Sequence, residues 1–402
     1  MRRLALLMMA GVCALTACST SVLAPARTSS PATAASRPSS SATPSPTPSP
    51  TPSASPSSTS LPQQYLARLT LQQKVGQLFM VDCPTSGLDP ATQAAIAQYD
   101  VGSVILDGNS TAGVDAIAAL TKQLQALAPN YLGLFIATDQ EGGQVQRLRG
   151  PGFPAIPSAV QQGRMSPSQL QVQATTWGGA LRAAGVNVDL APVLDVVPAG
   201  FGPNPPIGDL DRQFGSDPAS VADHGTAVVK GLEAAGVDAT VKHFPGLGRV
   251  SGNTDTTAGV TDSVTTPDDP FFVTPYTAAI KAKVPFVMVS TAIYSKLDPG
   301  IPAAFSAKIV TGILRTQLGY GGVVISDDLG AAASVANVAI GERAVDFLAA
   351  GGDMVLTVDA SQIPAMTAAV IARAQQDPVF AALVDAAALR VLTAKQHRGL
   401  LS

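Results

Sequence analysis

The sequence predicts a closed (β/α)8 barrel, the TIM-barrel fold, because of three observations. Eight apolar runs of strand length recur after residue 60, and stretches with helical spacing separate each run from the next. The runs are continuously apolar rather than alternating, as in parallel sheets that helices cover on both faces. Polar residues stand at the carboxyl ends of most runs, and those ends meet at one mouth in a barrel. The alternative is a doubly wound open sheet, which would spread the same residues along an edge.

The predicted strands are, in chain order, VGQLFMVD, VGSVILDG, YLGLFIATD, VNVDLAPVLDV, VDATVKHF, VPFVMVSTA, GGVVISDD and DMVLTVD. Each is bounded by Gly, Pro or Asp, as strands commonly are. The predicted helices between them include residues 114–127, 218–235 and 336–350, which have helical spacing and lack internal proline.

The polar residues at the strand ends are Asp82, Asp107, Asp139, Asp195, Lys242 with His243, Asp327 with Asp328, and Asp359. Any one of them is explained as a solvated cap at the end of a strand. The whole set is harder to explain in that way, and it favours the mouth of a barrel, where catalytic residues gather.

The first 60 residues fall outside this pattern. Arg2 and Arg3 precede an apolar stretch at residues 4–15, which is too short to span a bilayer and is typical of a signal peptide. The stretch ends in Leu-Thr-Ala-Cys, which resembles a bacterial lipobox and predicts a signal peptide at residues 1–18 with Cys18 as the lipid-bearing amino terminus. A plain secretory signal that is cut elsewhere is the alternative.

Residues 19–60 are almost wholly Ser, Pro, Thr and Ala, with no apolar period, and they predict a disordered tether. At a polyproline pitch of ~3.1 Å per residue, such a tether reaches on the order of 100 Å. Residues 61–402 contain no second linker and are long enough for a large core, so we expect a single folded domain there.

Charge and cysteine content exclude several classes of partner and bond. The net charge is −3 and there is no basic stripe, so nucleic acid is not an expected partner. Of the three cysteines, Cys13 leaves with the signal peptide and Cys18 carries the lipid. Cys83 then stands alone, and no intramolecular disulfide is possible in the mature protein.

Several kinds of active site are excluded by their missing motifs. His224, His243 and His397 are far apart, and neither Cys-x-x-Cys nor His-Glu-x-x-His occurs, so no metal is expected. A Gly-x-Ser-x-Gly elbow is absent. The glycines of residues 246–252 approach a dinucleotide fingerprint, but the spacing is wrong by one and no helix follows, so no cofactor is expected.

Carboxylates among basic and glycine-rich residues remain, and these are the groups that glycoside hydrolysis requires. Four motifs, TDQEGGQVQRL, IGDLDRQFG, KHFPGLG and VISDDL, occur in that order at the strand ends. They resemble the motifs of family 3 glycoside hydrolases, in particular the single-domain bacterial β-N-acetylglucosaminidases (β-hexosaminidases) that trim cell-wall sugars. The resemblance covers residues 65–395.

The resemblance implies a role for each matching residue. Asp327 matches the nucleophile of the family, and the residues that match those holding the hydroxyls of the non-reducing sugar are Asp139, Arg147, Arg212, Lys242 and His243. Carboxylates accept paired hydroxyl donors, and cations donate while keeping a nucleophile ionised, which agrees with these roles. A salt bridge across the mouth is the alternative for Lys242 and His243. We expect Glu141 to orient its neighbours and Asp328 to cap a strand.

One loop departs from the family. After Lys-His-Phe-Pro-Gly the hexosaminidase branch usually has His-Gly and then Asp-Ser-His, whereas this chain has Leu247 and then Asn253, Thr254 and Asp255. Asp255 takes the position of the proton donor, and Asn253 takes that of its helper. Either Asp255 is the acid/base, or the donor lies elsewhere, or the protein binds sugar without catalysis. Because glycines leave the loop few side chains to pack, we expect it to be mobile without substrate.

The resemblance therefore implies a retaining, exo-acting β-N-acetylglucosaminidase that works on peptidoglycan fragments without a metal or cofactor. We expect a monomer, anchored through Cys18 to the outer face of the cytoplasmic membrane, with water as acceptor because a carboxylate at residue 255 repels phosphate. The alternatives are a β-glucosidase or xylosidase of the same family and a non-catalytic lipoprotein that binds muropeptides.

Overall fold

The computed structural model describes residues 59–128 and 132–401, and they form a closed barrel of eight parallel strands. The strands are β1 (Phe79–Pro84), β2 (Ser103–Asp107), β3 (Phe135–Thr138), β4 (Val188–Asp189), β5 (Asp238–Phe244), β6 (Phe286–Val289), β7 (Val323–Asp328) and β8 (Met354–Thr357). Each strand pairs with the next one in the chain, and β8 closes on β1. The predicted TIM barrel is confirmed. The predicted signal peptide, Cys18 and nearly all of the tether lie outside the described residues.

Helices follow the strands and surround the barrel. Two helices, Leu61–Arg68 and Leu71–Gly76, precede β1. The helices after β1 to β5 are Pro90–Tyr99, Val114–Leu127, Ala159–Gln162 with Pro167–Ala183, Pro218–Ala235 and Pro270–Lys281. The helices after β6 to β8 are the π-helix Lys308–Gln317, then Ile340–Ala349, and then Ile363–Gln376 with Pro378–His397. Short 3-10 turns at Gly208–Leu210, Ala303–Phe305, Ala333–Val335 and Ala360–Gln362 lead into several of them.

Four of these helices begin with the same dipeptide, Asp-Pro. The prolines are the first helical residues, and the preceding aspartates are Asp89, Asp217, Asp269 and Asp377. Each aspartate side chain accepts a hydrogen bond from a backbone N–H of the first turn. Proline suits the first position because the N–H of that residue makes no hydrogen bond within a helix, so its absence in proline costs nothing. The dipeptide therefore fixes where each helix starts.

The structure corrects some predicted boundaries. The predicted helix at residues 336–350 begins later, as Ile340–Ala349, after a 3-10 turn. The long run at residues 186–196 keeps only Val188–Asp189 as regular strand, because Pro192 has no N–H for the ladder. Beyond Pro192 the chain still runs beside β5, with one bridge between Val193 and Lys242. The run at residues 75–82 starts in a helix and becomes strand only at Phe79.

The amino-terminal end of the barrel is closed by side chains. Phe135 and Phe286 begin β3 and β6, and their rings meet edge to face at 5.3 Å. Lys395 reaches this end from the C-terminal helix, is 0% exposed, and donates hydrogen bonds to Gln77 Oε1 at 2.6 Å and Gly102 O at 2.9 Å. Burial lowers the pKa of Lys395 to about 7. This floor leaves the carboxyl ends of the strands as the open face.

Two small sheets lie outside the barrel. Gln140–Gly142 pairs antiparallel with Val145–Gln146 directly after β3. Thr261–Asp262 pairs parallel with Ile293–Tyr294, which joins the loops after β5 and β6. In residues 59–128 and 132–401 no helix combines the length and apolar character that a bilayer crossing requires.

Candidate active site

A cavity of about 360 Å³ opens at the carboxyl ends of the strands. The residues that the sequence predicted for the site, Asp139, Arg147, Arg212, Lys242, His243, Asp255 and Asp327, all line it. They come from β5, β7 and the loops after β3, β4 and β5. They are far apart in the sequence, and the closed barrel brings them together. The cavity is large enough for a single sugar ring with its substituents.

Lys242 forms the buried electrostatic centre of the cavity wall. Its Nζ lies 2.5 Å from Asp139 Oδ1 and 2.8 Å from Glu141 Oε1, and the residue is only 2% exposed. Burial by itself lowers the pKa of this amine, but the charges of Asp139 and Glu141 outweigh it and raise the pKa. Lys242 therefore stays protonated and able to donate to a sugar hydroxyl beside Asp139.

Glu141 joins Lys242 to the loop after β4. Both of its oxygens accept hydrogen bonds from Arg212, with Nε to Oε2 at 2.8 Å and Nη2 to Oε1 at 2.7 Å. Burial opposes ionisation, but Arg212 and Lys242 hold the pKa of Glu141 well below its usual range. Glu141 does not line the cavity, so its contacts agree with the predicted orienting role. It fixes two cations that do line the cavity.

His243 is held by Asp195, a partner to which the sequence analysis gave no role. Its Nδ1 lies 2.7 Å from Asp195 Oδ2, so the ring donates this proton and presents Nε2 on its other side. The Nη2 of Arg212 lies 3.4 Å from that Nε2 and donates to it. Asp195 Oδ1 also accepts from the backbone N–H groups of His243 and Leu247. The sequence feature that could have pointed to Asp195 is its position at the end of an apolar run, where site residues are expected.

Arg147 is carried by the small antiparallel sheet after β3. Its backbone N–H donates to Asp139 O at 3.1 Å, and the side chain of Gln140 bonds both backbone groups of Leu148. Within the described residues the buried Nε of Arg147 has no hydrogen-bond partner. A buried donor without a partner is unfavourable, and in this cavity a ligand acceptor would satisfy it.

Asp327 lies at the end of β7 on the opposite side of the cavity. Its Oδ1 accepts a hydrogen bond from the backbone N–H of Asp328 at 2.9 Å. Burial raises the pKa of Asp327 to about 6; the charge of Asp255 adds to this rise, and His243 opposes it. The two carboxylates are therefore close enough to interact electrostatically.

Asp328 also lines the cavity, but backbone hydrogen bonds occupy its carboxylate. Its carboxylate accepts backbone N–H bonds from Gly330, Ala331 and Val358 at 2.7–3.0 Å. These bonds fasten the end of β7 to the turn that follows it and to the end of β8, as expected of a strand cap.

The loop at residues 245–255 is packed, so the expectation of few packing side chains is wrong. Leu247 is 2% exposed and Val250 is 0% exposed, and both belong to the hydrophobic core. Gly248 allows this approach, because a Cβ there would lie 2.0 Å from Val196 O. Arg249 pairs with Asp269 at 2.5 Å and lies 3.7 Å from the centre of the Phe271 ring.

Asp255 is exposed at the cavity and is held through its backbone. Its carbonyl accepts from Ala333 N at 3.0 Å, and Thr254 O accepts from Ser334 N at 3.1 Å. Asn253 Oδ1 accepts from the Asp255 backbone N–H at 2.9 Å. Asn253 thus helps to fix the backbone of Asp255 and makes no bond to its carboxylate.

A group with the spacing of metal ligands lies at the other end of the barrel. Among the described residues this group is Glu233, Asp238 and His397. The guanidinium of Arg398 ion-pairs with Glu233 at 2.9 Å and also with Asp238. The guanidinium of Arg398 therefore already neutralises these acidic side chains in the position that a metal ion would take. The group is also remote from the candidate active site.

A (β/α)8 barrel whose mouth carries two carboxylates, Asp255 and Asp327, beside buried cations has the fold and the site of a glycoside hydrolase. The chain belongs to glycosyl hydrolase family 3. Residues 70–394 match the family described as "Glycosyl hydrolase family 3 N terminal domain", which confirms the resemblance seen in the motifs.

Individual relatives agree with this assignment. A solved β-N-acetylhexosaminidase from Beutenbergia cavernae is 52% identical, with a TM-score of 0.81 over 82% of this chain and 99% of that one. A β-hexosaminidase of Xanthomonas campestris is 34% identical over 303 residues, 73% of this chain and 88% of the relative. The β-hexosaminidase LpqI of Mycobacterium tuberculosis is 33% identical over 354 residues, 84% of this chain and 86% of the relative.

Proposed function

We propose that this protein is a retaining exo-β-N-acetylglucosaminidase that removes terminal β-linked N-acetylglucosamine from peptidoglycan fragments. The observation that carries the proposal is the cavity in which Asp327 and Asp255 interact beside Lys242 and Asp139. The relatives named β-hexosaminidase support the acetamido sugar as the substrate.

The reaction has two steps, with one carboxylate in each role. In the first, Asp327 attacks the anomeric carbon, the bond to the leaving oxygen breaks, and Asp255 gives that oxygen its proton. In the second, Asp255 takes a proton from water, the water oxygen attacks the anomeric carbon, and the ester to Asp327 breaks. The sugar leaves with its original β configuration, and both carboxylates return to their starting state.

The cationic wall has a separate task. Lys242, Arg147 and Arg212 donate to hydroxyls, and Asp139 accepts from them, so the non-reducing sugar is held at its rim. Because these groups are fixed by Glu141 and by the backbone before substrate arrives, little reorganisation is needed during the reaction. The choice of water over phosphate follows from the charge of Asp255, which repels a phosphate dianion.

We further propose that the protein acts outside the cytoplasmic membrane as a lipid-anchored monomer. The lipobox at Cys18 and the Ser/Pro/Thr-rich segment after it support an anchor with a long reach. This location agrees with peptidoglycan fragments as the substrate, because the family branch that the motifs resemble trims cell-wall sugars.

The test uses purified residues 61–402 with three 4-nitrophenyl glycosides. We expect 4-nitrophenol release from the N-acetyl-β-glucosaminide and not from the β-glucoside or β-xyloside, and NMR of the first product should show the β anomer. Release from the glucoside or xyloside instead would replace the proposal with the corresponding activity. Sugar binding without release would identify a non-catalytic binding protein.

A further inference from the structure

Asn204 connects two neighbouring loops, each of which carries part of the candidate active site. It lies in the loop after β4, which also contains Arg212, and it is 1% exposed. Its amide nitrogen donates one hydrogen bond to Leu247 O and one to Val250 O, both at 2.8 Å. Those carbonyls belong to the loop after β5 that carries Asp255. A single side chain therefore uses both of its N–H groups across the gap between the loops.

The other groups of Asn204 organise its own loop. Its Oδ1 accepts from Gly208 N at 2.7 Å, and its backbone N–H and carbonyl bond to Asp209. The turn so formed leads directly to Arg212, whose backbone N–H bonds to Ile207 O at 3.1 Å. The buried side-chain amide thus makes three hydrogen bonds within these two loops, donating both N–H groups and accepting one bond at Oδ1.

A first group of contacts holds the loop before Asp255: the two bonds from Asn204, the bond from the Leu247 N–H to Asp195 and the ion pair of Arg249 with Asp269. The second is the pair of backbone bonds from Ala333 and Ser334 to residues 255 and 254. Only three residues, 251–253, lie between Val250 and this second pair of bonds. Loss of the two Asn204 bonds weakens the hold on this side of Asp255, and a misplacement of about 1 Å at a reacting group can cost on the order of 10²-fold in rate.

We propose that Asn204 is a positioning residue that holds Asp255 at the distance from the bound sugar needed for proton transfer to the leaving oxygen. The inference rests on the proposed function of Asp255. It predicts a defect confined to steps that need the proton donor, because Asp327 on β7 and Lys242 on β5 make no contact with Asn204, and the turn before Arg212 uses only the oxygen of the Asn204 side chain.

Asn204→Asp is the sharpest variant, since it keeps the shape and the acceptor to Gly208. It replaces the donor to Leu247 O and Val250 O with an oxygen that cannot donate. The measurement is kcat/KM for aryl N-acetyl-β-glucosaminides whose leaving groups range from dinitrophenol to 4-methoxyphenol. We expect a loss of roughly tenfold or more for the poor leaving group and less than about threefold for dinitrophenol. Inhibition by free N-acetylglucosamine should stay unchanged, because the turn that leads to Arg212 is kept.

Asn187→Asp is the matched control. The amide of Asn187 also bonds two backbone groups, Leu134 O at 3.0 Å and Ile136 N at 2.8 Å, but at the opposite end of the barrel. This variant should lower the melting temperature without making the rate depend on the leaving group. Equal losses for all leaving groups in Asn204→Asp would overturn the proposal.

A second variant and a second measurement cover the remaining outcomes. If Asn204→Asp does not fold, Asn204→Ser keeps one donor and should show the same dependence on the leaving group to a smaller degree. Hydrogen exchange reports on the loop without any turnover: Asn204→Asp should speed exchange at Leu247 and Asp255 and leave Arg212 protected. Unchanged exchange at residues 247–255 would overturn the proposal even if the wild type proved inactive, whereas an inactive wild type with the expected exchange would count against the proposed function alone.

Discussion

The carboxylate of Asp195 bonds His243 twice, accepting from ring Nδ1 at 2.7 Å and from the backbone N–H at 3.2 Å. Asp195 is itself 0% exposed and does not line the cavity. It acts on the site by fixing which ring nitrogen of His243 carries the proton. The ring therefore presents one defined nitrogen to its surroundings.

Asp195→Ala should lower kcat/KM for the N-acetyl-β-glucosaminide by about ten- to hundredfold. A hydrogen bond to a charged group is worth about 1.5–3 kcal/mol, and about 1.4 kcal/mol corresponds to a factor of ten. The Nδ1 proton of His243 should also disappear from its low-field position in the proton NMR spectrum. A variant with wild-type kcat/KM would show that the orientation of His243 has no effect on the reaction.

Asp327→Asn should reduce kcat by several orders of magnitude while sugar binding and melting temperature stay close to those of the wild type. The change replaces the carboxylate that attacks the anomeric carbon with a neutral amide of the same shape, so it removes the nucleophile and no packing contact. Trapping with a 5-fluoro sugar, followed by mass spectrometry of peptides, should label Asp327 alone. Asp328→Asn is the control at the neighbouring residue. It should weaken the strand cap and lower the melting temperature, while the label should still be found on Asp327.

The pH dependence of kcat/KM should have an acidic limb near pH 6. Asp327 attacks only when ionised, and burial followed by the charge of Asp255 raises its pKa to about 6. Activity is therefore present above that pH and is lost as the pH falls through it. In Asp255→Asn the neighbouring negative charge is gone, so the limb, measured with a dinitrophenyl glycoside, should move to lower pH. A limb that moves upward or stays in place would contradict this electrostatic link.

Asp255→Ala should slow a natural disaccharide by ~10²-fold or more and scarcely slow formation of the glycosyl-enzyme from a dinitrophenyl glycoside, whose leaving group needs no proton. Added azide should restore turnover, since it attacks the intermediate without a general base. If the natural disaccharide is cleaved at the wild-type rate, the proton donor is another group. Asp262 and the Asp268-Asp269 pair are then next to test; Asp262 caps Val264 and Thr265, and Asp269 is paired with Arg249.

Cys18→Ala in the full chain should abolish labelling with palmitate and release the protein from membranes. A single acyl chain binds membranes only weakly, so lasting anchorage needs the two or three chains of a lipoprotein amino terminus. Cys13→Ala is the control and should leave labelling intact. Label that persists in Cys18→Ala would remove the basis for the anchor.

The sequence predicted the strands and the site residues together, for a physical reason. A buried parallel strand must be apolar up to the point where it emerges, so the first polar residue marks the catalytic face; this placed Asp139, Lys242 and Asp327 at one mouth. The strand predicted at residues 186–196 was too long, because an apolar pattern does not show that Pro192 lacks the N–H that a strand ladder requires. Spacing along the chain cannot show contacts between loops. For this reason Asp195 was identified only as a strand-end residue, without its partner His243, and Asn204 was not identified.

The loop after β5 shows a second limit of sequence reasoning. Its glycines suggested a flexible loop, but glycine also allows another segment of backbone to pack closely against it. Which of the two applies depends on whether such a segment lies against the glycine in the fold. At Gly248 the carbonyl of Val196 stands opposite, and that residue lies more than fifty positions earlier in the chain. The neighbouring Leu247, in place of the histidine of the family pattern, is buried in the core.

The floor that Lys395 and the facing phenylalanines build fills the amino-terminal end of the barrel, so both products leave through the mouth at the carboxyl ends of the strands. In the proposed reaction the cleaved aglycone lies between the sugar and solvent, so it must diffuse away before water or the freed monosaccharide can pass. N-acetylglucosamine is then the last product to leave, and while it stays it excludes the next chain end. Progress curves should accordingly bend as the monosaccharide accumulates, with inhibition that is competitive towards substrate, whereas the aglycone should inhibit in a different pattern.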